Sequence, residues 1–267
     1  MNQFFKTVAL EFYHSAPVYL LRACHAKLFA GNQKQEMLAL LPRPPYAYGM
    51  MRAAECARDS SLKAVTVCEF GMASGDGLAA MVDLAARLGP EMGVHFRVCG
   101  FDGGVGLPKP QGFKDHPEIW KEGAFTMPAP DALKRRFAGK AEIFWGDITH
   151  TVDAFKESLT PEAPLGFVAV DVDQYGSAVA ALRCLDSRPD VYDPAVSVYL
   201  DDVEFFTSCD WAGELAAIHE FSEAHEWRKM GVDRSLPGPR RIPYLKWYSR
   251  MYVAQILDHA RRNPESA

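Results

Sequence analysis

From residue 62 onward the chain alternates two hydrophobic patterns. Short runs rich in β-branched and aromatic residues, each closed by an acid, precede stretches whose apolar positions recur at helical spacing. The first run, Val65-Thr-Val-Cys-Glu-Phe70, turns through Gly71, Gly75 and Gly77 into an alanine-rich amphipathic helix over about 76–88. Further strands are expected at His95-Phe-Arg-Val-Cys-Gly-Phe101, Ala141-Glu-Ile-Phe-Trp145, Leu165-Gly-Phe-Val-Ala-Val170 and Val196-Ser-Val-Tyr-Leu200. Helices are expected over about 131–138, 152–159, 177–185 and 212–225, and a last strand or strand pair at about 247–257. Strands alternating with short helices imply right-handed crossovers and an α/β, Rossmann-like, doubly wound and mostly parallel sheet. Ahead of it lies a helical preface. Phe4, Phe5, Val8, Leu10 and Phe12, then Val18, Leu21, Ala26 and Leu28, give helical spacing, broken by Pro42, Pro44 and Pro45 and resumed over about 46–58. Such a preface suits a lid, an oligomerisation arm or plain packing.

Composition changes this picture little. With 267 residues, 48% of them hydrophobic, the chain can bury one large core. A net charge of −5 gives no general attraction to nucleic acid or anionic membrane. No stretch is long and apolar enough to span a bilayer, and a signal peptide is not evident, so a cytoplasmic protein is expected. The six cysteines contain no C-x-x-C pair, and free thiols are expected rather than disulfides or zinc.

The acids carry the chemistry. In a doubly wound sheet ligands collect at the carboxyl ends of the strands. The predicted strands end in Glu69, Asp102, Asp147, Asp171 with Asp173, and Asp201 with Asp202, which converge on one rim. The glycine turn lets a ligand approach the backbone, and the following helix offers unpaired N–H groups to an anion. Asp102 suits a carboxylate accepting ribose hydroxyls. Asp147 either faces an adenine edge or caps the next helix, and Glu69 faces a ligand ammonium. Asp171, Asp173, Asp201 and Asp202 crowd two adjacent strand ends, where they repel unless a cation holds them. Oxygen ligands without a His/Cys set point to a hard ion such as Mg²⁺ rather than zinc. Equally, some of them are N-caps.

With these residues placed, the chain resembles a known family. Glu69-Phe-Gly…Gly75, Gly100-Phe-Asp-Gly-Gly-Val-Gly-Leu-Pro108, Asp171-Val-Asp-Gln-Tyr-Gly-Ser177 and Leu200-Asp-Asp202 look like class I S-adenosylmethionine (SAM) methyltransferases of the macrocin O-methyltransferase type. A likeness over nearly the whole chain is to a bacterial methyltransferase-like group. Its carriers are Arg43-Pro-Pro-Tyr-Ala-Tyr-Gly49, Glu214-Leu-Ala-Ala-Ile-His-Glu-Phe221 and the Tyr252…Asp258-His259 ending. The resemblance implies a seven-stranded methyltransferase sheet in a SAM-binding domain over 61–267, with a helical extension over 1–60. It implies a cofactor set of Glu69, Gly71, Ala73, Ser74, Gly75, Gly77, Asp102, Asp147 and Asp171, and Mg²⁺ held by Asp171, Asp201 and Asp202. In two places the chain departs from the family: Ala73 stands where the family often has glycine, and its histidine base has no counterpart here.

The expected activity is Mg²⁺-assisted O-methylation of a small hydroxylated metabolite, with Asp173 as catalytic base and His219, His225 and His259 as weaker candidates. Tyr46, Tyr48, Trp120 and Trp211 either wall the acceptor pocket or are ordinary core and loop aromatics. Two rivals stand beside it: metal-free transfer to nitrogen or a carboxylate, and a non-catalytic SAM-fold protein that works as an oligomer.

Overall fold

Residues 64–70 form the first strand, β1 (Ala64–Phe70), buried along nearly its whole length. In the computed structural model, residues 16–37, 39–236 and 245–263 are described, so the apolar positions between Phe4 and Phe12 lie outside the described residues. Among the described residues three helices precede the sheet: α1 (Ala16–Phe29), α2 (Asn32–Met37) and α3 (Pro44–Asp59). After β1 come α4 (Asp76–Met92), β2 (His95–Asp102), α5 (Pro130–Phe137) and β3 (Glu142–Trp145). Then follow α6 (Ile148–Ser158), β4 (Leu165–Val170), α7 (Tyr175–Leu182) and β5 (Tyr192–Leu200). The chain closes with α8 (Gly213–Ala224), β6 (Arg228–Val232) and β7 (Met251–Ile256).

The sheet has seven strands in the order β3-β2-β1-β4-β5-β7-β6. The first five are parallel, and β7 runs antiparallel between β5 and β6. The strand order reverses beside β1, which opens a crevice above the carboxyl ends of β1 and β4.

Both faces of the sheet are covered, which is why its central strands read as continuous apolar runs. Alternation along β1 sends Val65 and Val67 to the face shared with α3 and α4. Cys68 and Phe70 go to the face packed by α6, α7 and α8. Phe70, Phe101 and Phe144 stack side by side across β1, β2 and β3, with centroids 4.2 and 4.8 Å apart. Phe155 of α6 closes on Phe101 edge-on and is fully buried, contributing about 2–3 kcal/mol through burial alone. Helix α3 belongs to this core: Tyr46, Met50 and Ala54 have no exposed surface, and Phe167 lies against Gly49. The same alternation that buries Val65 and Val67 aims Glu69 at α3, which sets up the site.

Candidate functional site

A cavity of about 840 Å³ opens above the crevice, lined by the glycine turn, the 103–111 loop, the start of α6 and the Asp171 and Asp201 strand ends. Two glycines are required by close approach. At Gly71 (φ +85°) an added Cβ would lie 1.8 Å from the Asp171 carbonyl oxygen. At Gly77 it would lie 1.7 Å from Glu69 Oε1 and 2.3 Å from Arg43 Nη1.

The turn between them is held by Asp102. Its Oδ2 accepts from the Met72 N–H at 2.9 Å and the Ala73 N–H at 2.8 Å, and its Oδ1 accepts from the Gly104 N–H at 2.6 Å. Asp102 therefore shapes the loop, and with about four lone-pair sites per carboxylate it retains acceptor capacity toward the cavity. Ala73 sits at φ 43°, a left-handed conformation that glycine adopts freely and alanine does not. Asp147 is the N-cap of α6, accepting from the Thr149 N–H at 2.8 Å and the Thr149 hydroxyl at 2.7 Å. Of the two readings the sequence allowed, the cap is the one formed here, with the residue still lining the cavity.

Glu69 is buried, and burial pushes its carboxyl up to about 8. The Tyr46 hydroxyl donates to its Oε1 at 2.6 Å, and Arg43 Nη1 reaches the same oxygen at 3.3 Å. Oε2 has no partner among the described residues. Arg43 also brings Nη2 to 3.9 Å from Asp171 Oδ2, so one guanidinium bridges Glu69 and Asp171.

At the far end, one oxygen from each of Asp171, Asp201 and Asp202 lies within 4.8 Å of the others. Burial, then the charges of Asp201 and Asp202, raise Asp171 to about 7. Burial, then Asp173, raise Asp202 to about 8, and the Asp173 carboxyl lies against it, raised to about 7 mainly by burial. Asp173 itself takes φ 62°. Asp201 Oδ1 accepts from Arg250 Nη1 at 2.8 Å and from the Tyr199 hydroxyl. A further acid stands beneath: buried Glu214, at the start of α8, accepts the Asp202 N–H at 3.1 Å. Glu214 Oε1 and Asp202 Oδ2 are without partners among the described residues. Clustered, half-buried and partly unpartnered carboxylate oxygens fit a hard divalent cation. The side-chain-free glycine turn, beside an unpartnered Glu69 oxygen, fits a cofactor carrying an adenosine and an ammonium.

The remaining expected residues divide. Trp120 lines the cavity, whereas Tyr46 is core and Tyr48 is buried with its hydroxyl donating to Asp233 at 2.6 Å. Trp211 is exposed, and none of His219, His225 and His259 lines the cavity. Residues the sequence reading missed include Arg43 as a site residue, Glu214, Arg250 and Asp115. Asp115 is buried and accepts from the Gln111 and Gly176 N–H groups, at 2.8 and 2.9 Å, pinning the cavity loop to α7. Arg43-Pro-Pro-Tyr was visible as a motif. Nothing in the local pattern marks Arg250, which arrives from a turn before β7.

No protein-family model and no curated protein matches the sequence. Among solved structures the chain is similar to CalS11, described as calicheamicin methyltransferase. Identity is 18%, covering 90% of this chain and 93% of that one, with a TM-score of 0.54. It is also similar to the O-methyltransferase NovP, at 14% identity over 79% of each chain and a TM-score of 0.50. The likeness is one of fold: a seven-stranded α/β sheet of the kind methyltransferases use, here preceded by helices.

Proposed function

We propose that the protein transfers the methyl group of SAM to a hydroxyl of a small molecule, assisted by a divalent cation such as Mg²⁺. One observation carries this reading: a single cavity joins the glycine turn to the Asp171, Asp201 and Asp202 trio. The resemblance to the macrocin type and the fold shared with CalS11 and NovP support it. Glu69, the glycine turn with Gly71, Ala73, Ser74, Gly75 and Gly77, Asp102 and Asp147 are the residues to hold the cofactor, with Asp171 at its methyl end. Asp171, Asp201 and Asp202 are those to hold the ion. SAM supplies an electrophilic methyl group, and the ion lowers the pKa of an acceptor hydroxyl and orients it. The chain's own task is alignment and removal of one proton. Asp173 is the base: its carboxyl is raised to about 7, near the pH where a base both accepts and releases a proton. Trp120 and Phe125 give the acceptor apolar surface to rest on. The exposed Leu20, Leu21, Leu28 and Phe29 of α1 fit a lid or oligomerisation role for the part of the 1–60 extension that precedes α3.

Arg250 favours a second reading. Its bond to Asp201 supplies positive charge where an ion would, which suits metal-free transfer to nitrogen or a carboxylate. An acceptor screen with labelled SAM, run with and without a chelator, separates the two. Activity lost on chelation, restored by Mg²⁺ and absent in Asp202→Asn supports the first. Activity indifferent to chelator and to that substitution sinks the metal role.

A further inference from the structure

We infer that Arg43, delivered by the turn into α3, is a cofactor-binding residue that grips the amino-acid carboxylate of SAM, with Glu69 holding the adjacent ammonium. The inference rests on the SAM reading and deepens it. A cavity floored by acids is a poor place for a carboxylate. Glu69, Asp102, Asp147, Asp171, Asp173, Asp201 and Asp202 all line it, and among the described lining residues only Arg43 and Lys109 are cations. Lys109 belongs to the loop fastened where Gln174 Nε2 donates to the Pro108 carbonyl at 3.0 Å. Arg43 instead touches Glu69, the acid aimed at the ammonium.

Four features show Arg43 built into this place. Its guanidinium lies 4.7 Å from the Tyr46 ring centroid, and Tyr46 donates to the same Glu69 oxygen. Its backbone takes φ 42°, turning the chain into Pro44 so that the side chain points over the glycine turn rather than along α3. Gly77 makes room for it, since a Cβ there would strike both Glu69 and Arg43. Among the described residues its one hydrogen bond is to Glu69, so most of its five N–H donors remain for a ligand. The planar fork suits a carboxylate, which it can bind through two parallel bonds. A zwitterion thus meets a matched pair, acid to ammonium and guanidinium to carboxylate. The 3.9 Å approach to Asp171 also places Arg43 at the border between the cofactor and ion ends.

Calorimetry with SAM and with decarboxylated SAM, which keeps the sulfonium and the ammonium but lacks the carboxylate, tests this on wild type, Arg43→Gln and Arg43→Lys. Wild type should prefer SAM. Arg43→Gln should weaken SAM at least tenfold while leaving decarboxylated SAM within about twofold, and Arg43→Lys should fall between, with thermal melts confirming that both variants fold. Unchanged SAM affinity in Arg43→Gln, or equal loss for the two ligands, overturns the role of Arg43 and leaves the SAM reading standing. A wild-type protein that binds neither ligand overturns both.

Discussion

Ala73 shows how a single side chain records a compromise. At φ 43° it bears a left-handed cost of about 1–2 kcal/mol, and the two amides given to Asp102 hold it there. Glycine would remove that cost while losing more entropy on folding, so Ala73→Gly should stabilise by about 0.5–1 kcal/mol, read by urea unfolding. Destabilisation would mean that the methyl group contributes packing the backbone angle does not reveal. Asp102→Ala should act oppositely. It frees three loop amides, so melting temperature and SAM affinity should fall together; a loss of affinity with unchanged melting would assign Asp102 to the ligand alone. The position of Asp102 was legible from the strand pattern. Its grip on the loop was not, because backbone amides leave no trace in sequence.

At the scale of elements, the parallel strands were legible and the last antiparallel pair only partly so. β1, β2 and β4 are covered on both faces and read as apolar runs, whereas β6 (Arg228–Val232) lies at the sheet edge with only Arg228 buried. With Arg228, Lys229 and Gly231 among its five residues, β6 carries too little hydrophobic signal to be seen. β5 began earlier than its pattern suggested, at Tyr192, because Asp193 and Pro194 interrupt it. Between Leu165 and Phe167 its pairing with β4 shifts register, so the proline falls in an irregularity and not in the regular ladder. Asp193 is nevertheless buried against α3, near the Cys56 thiol, and its Oδ2 has no partner among the described residues. Burial raises its carboxyl to about 7, against an ordinary value near 3.9 in the unfolded chain. Between those two values the folded state binds more protons than the unfolded state. Its contribution to stability is therefore best at low pH and falls as pH rises toward 7. Asp193→Asn should raise stability by about 1–3 kcal/mol at pH 8 and flatten its slope between pH 4 and 7. A steeper slope in the variant would show that the carboxylate is compensated in the native protein.

Over the whole molecule the fold collects negative charge at one rim, because parallel strands all end on the same side and most end here in an acid. That convergence was legible in the sequence, since it follows from strand polarity alone. The compensating groups were not: Arg43 comes from ahead of the sheet and Arg250 from beside β7, far apart in sequence and joined only by the crossovers. Two arginines facing Glu69, Asp171, Asp173, Asp201, Asp202 and Glu214 leave the rim under-neutralised, and burial, with the mutual repulsion of these acids second to it, raises the Asp171, Asp173 and Asp202 carboxyls. Such a rim stores repulsion that a bound cation relieves. Mg²⁺ should therefore raise the melting temperature of the wild-type protein, by the equivalent of about 2.7 kcal/mol at a hundredfold excess over its dissociation constant. Asp202→Asn removes one charge and one ligand together, so it should melt higher than wild type without Mg²⁺ and lose most of the Mg²⁺-dependent rise. A variant that melts higher yet still gains fully from Mg²⁺ would move the ion away from Asp202. A wild-type protein indifferent to Mg²⁺ would leave Arg43 and Arg250 as counter-charges to the rim, and the metal-free reading would then be the one its electrostatics support.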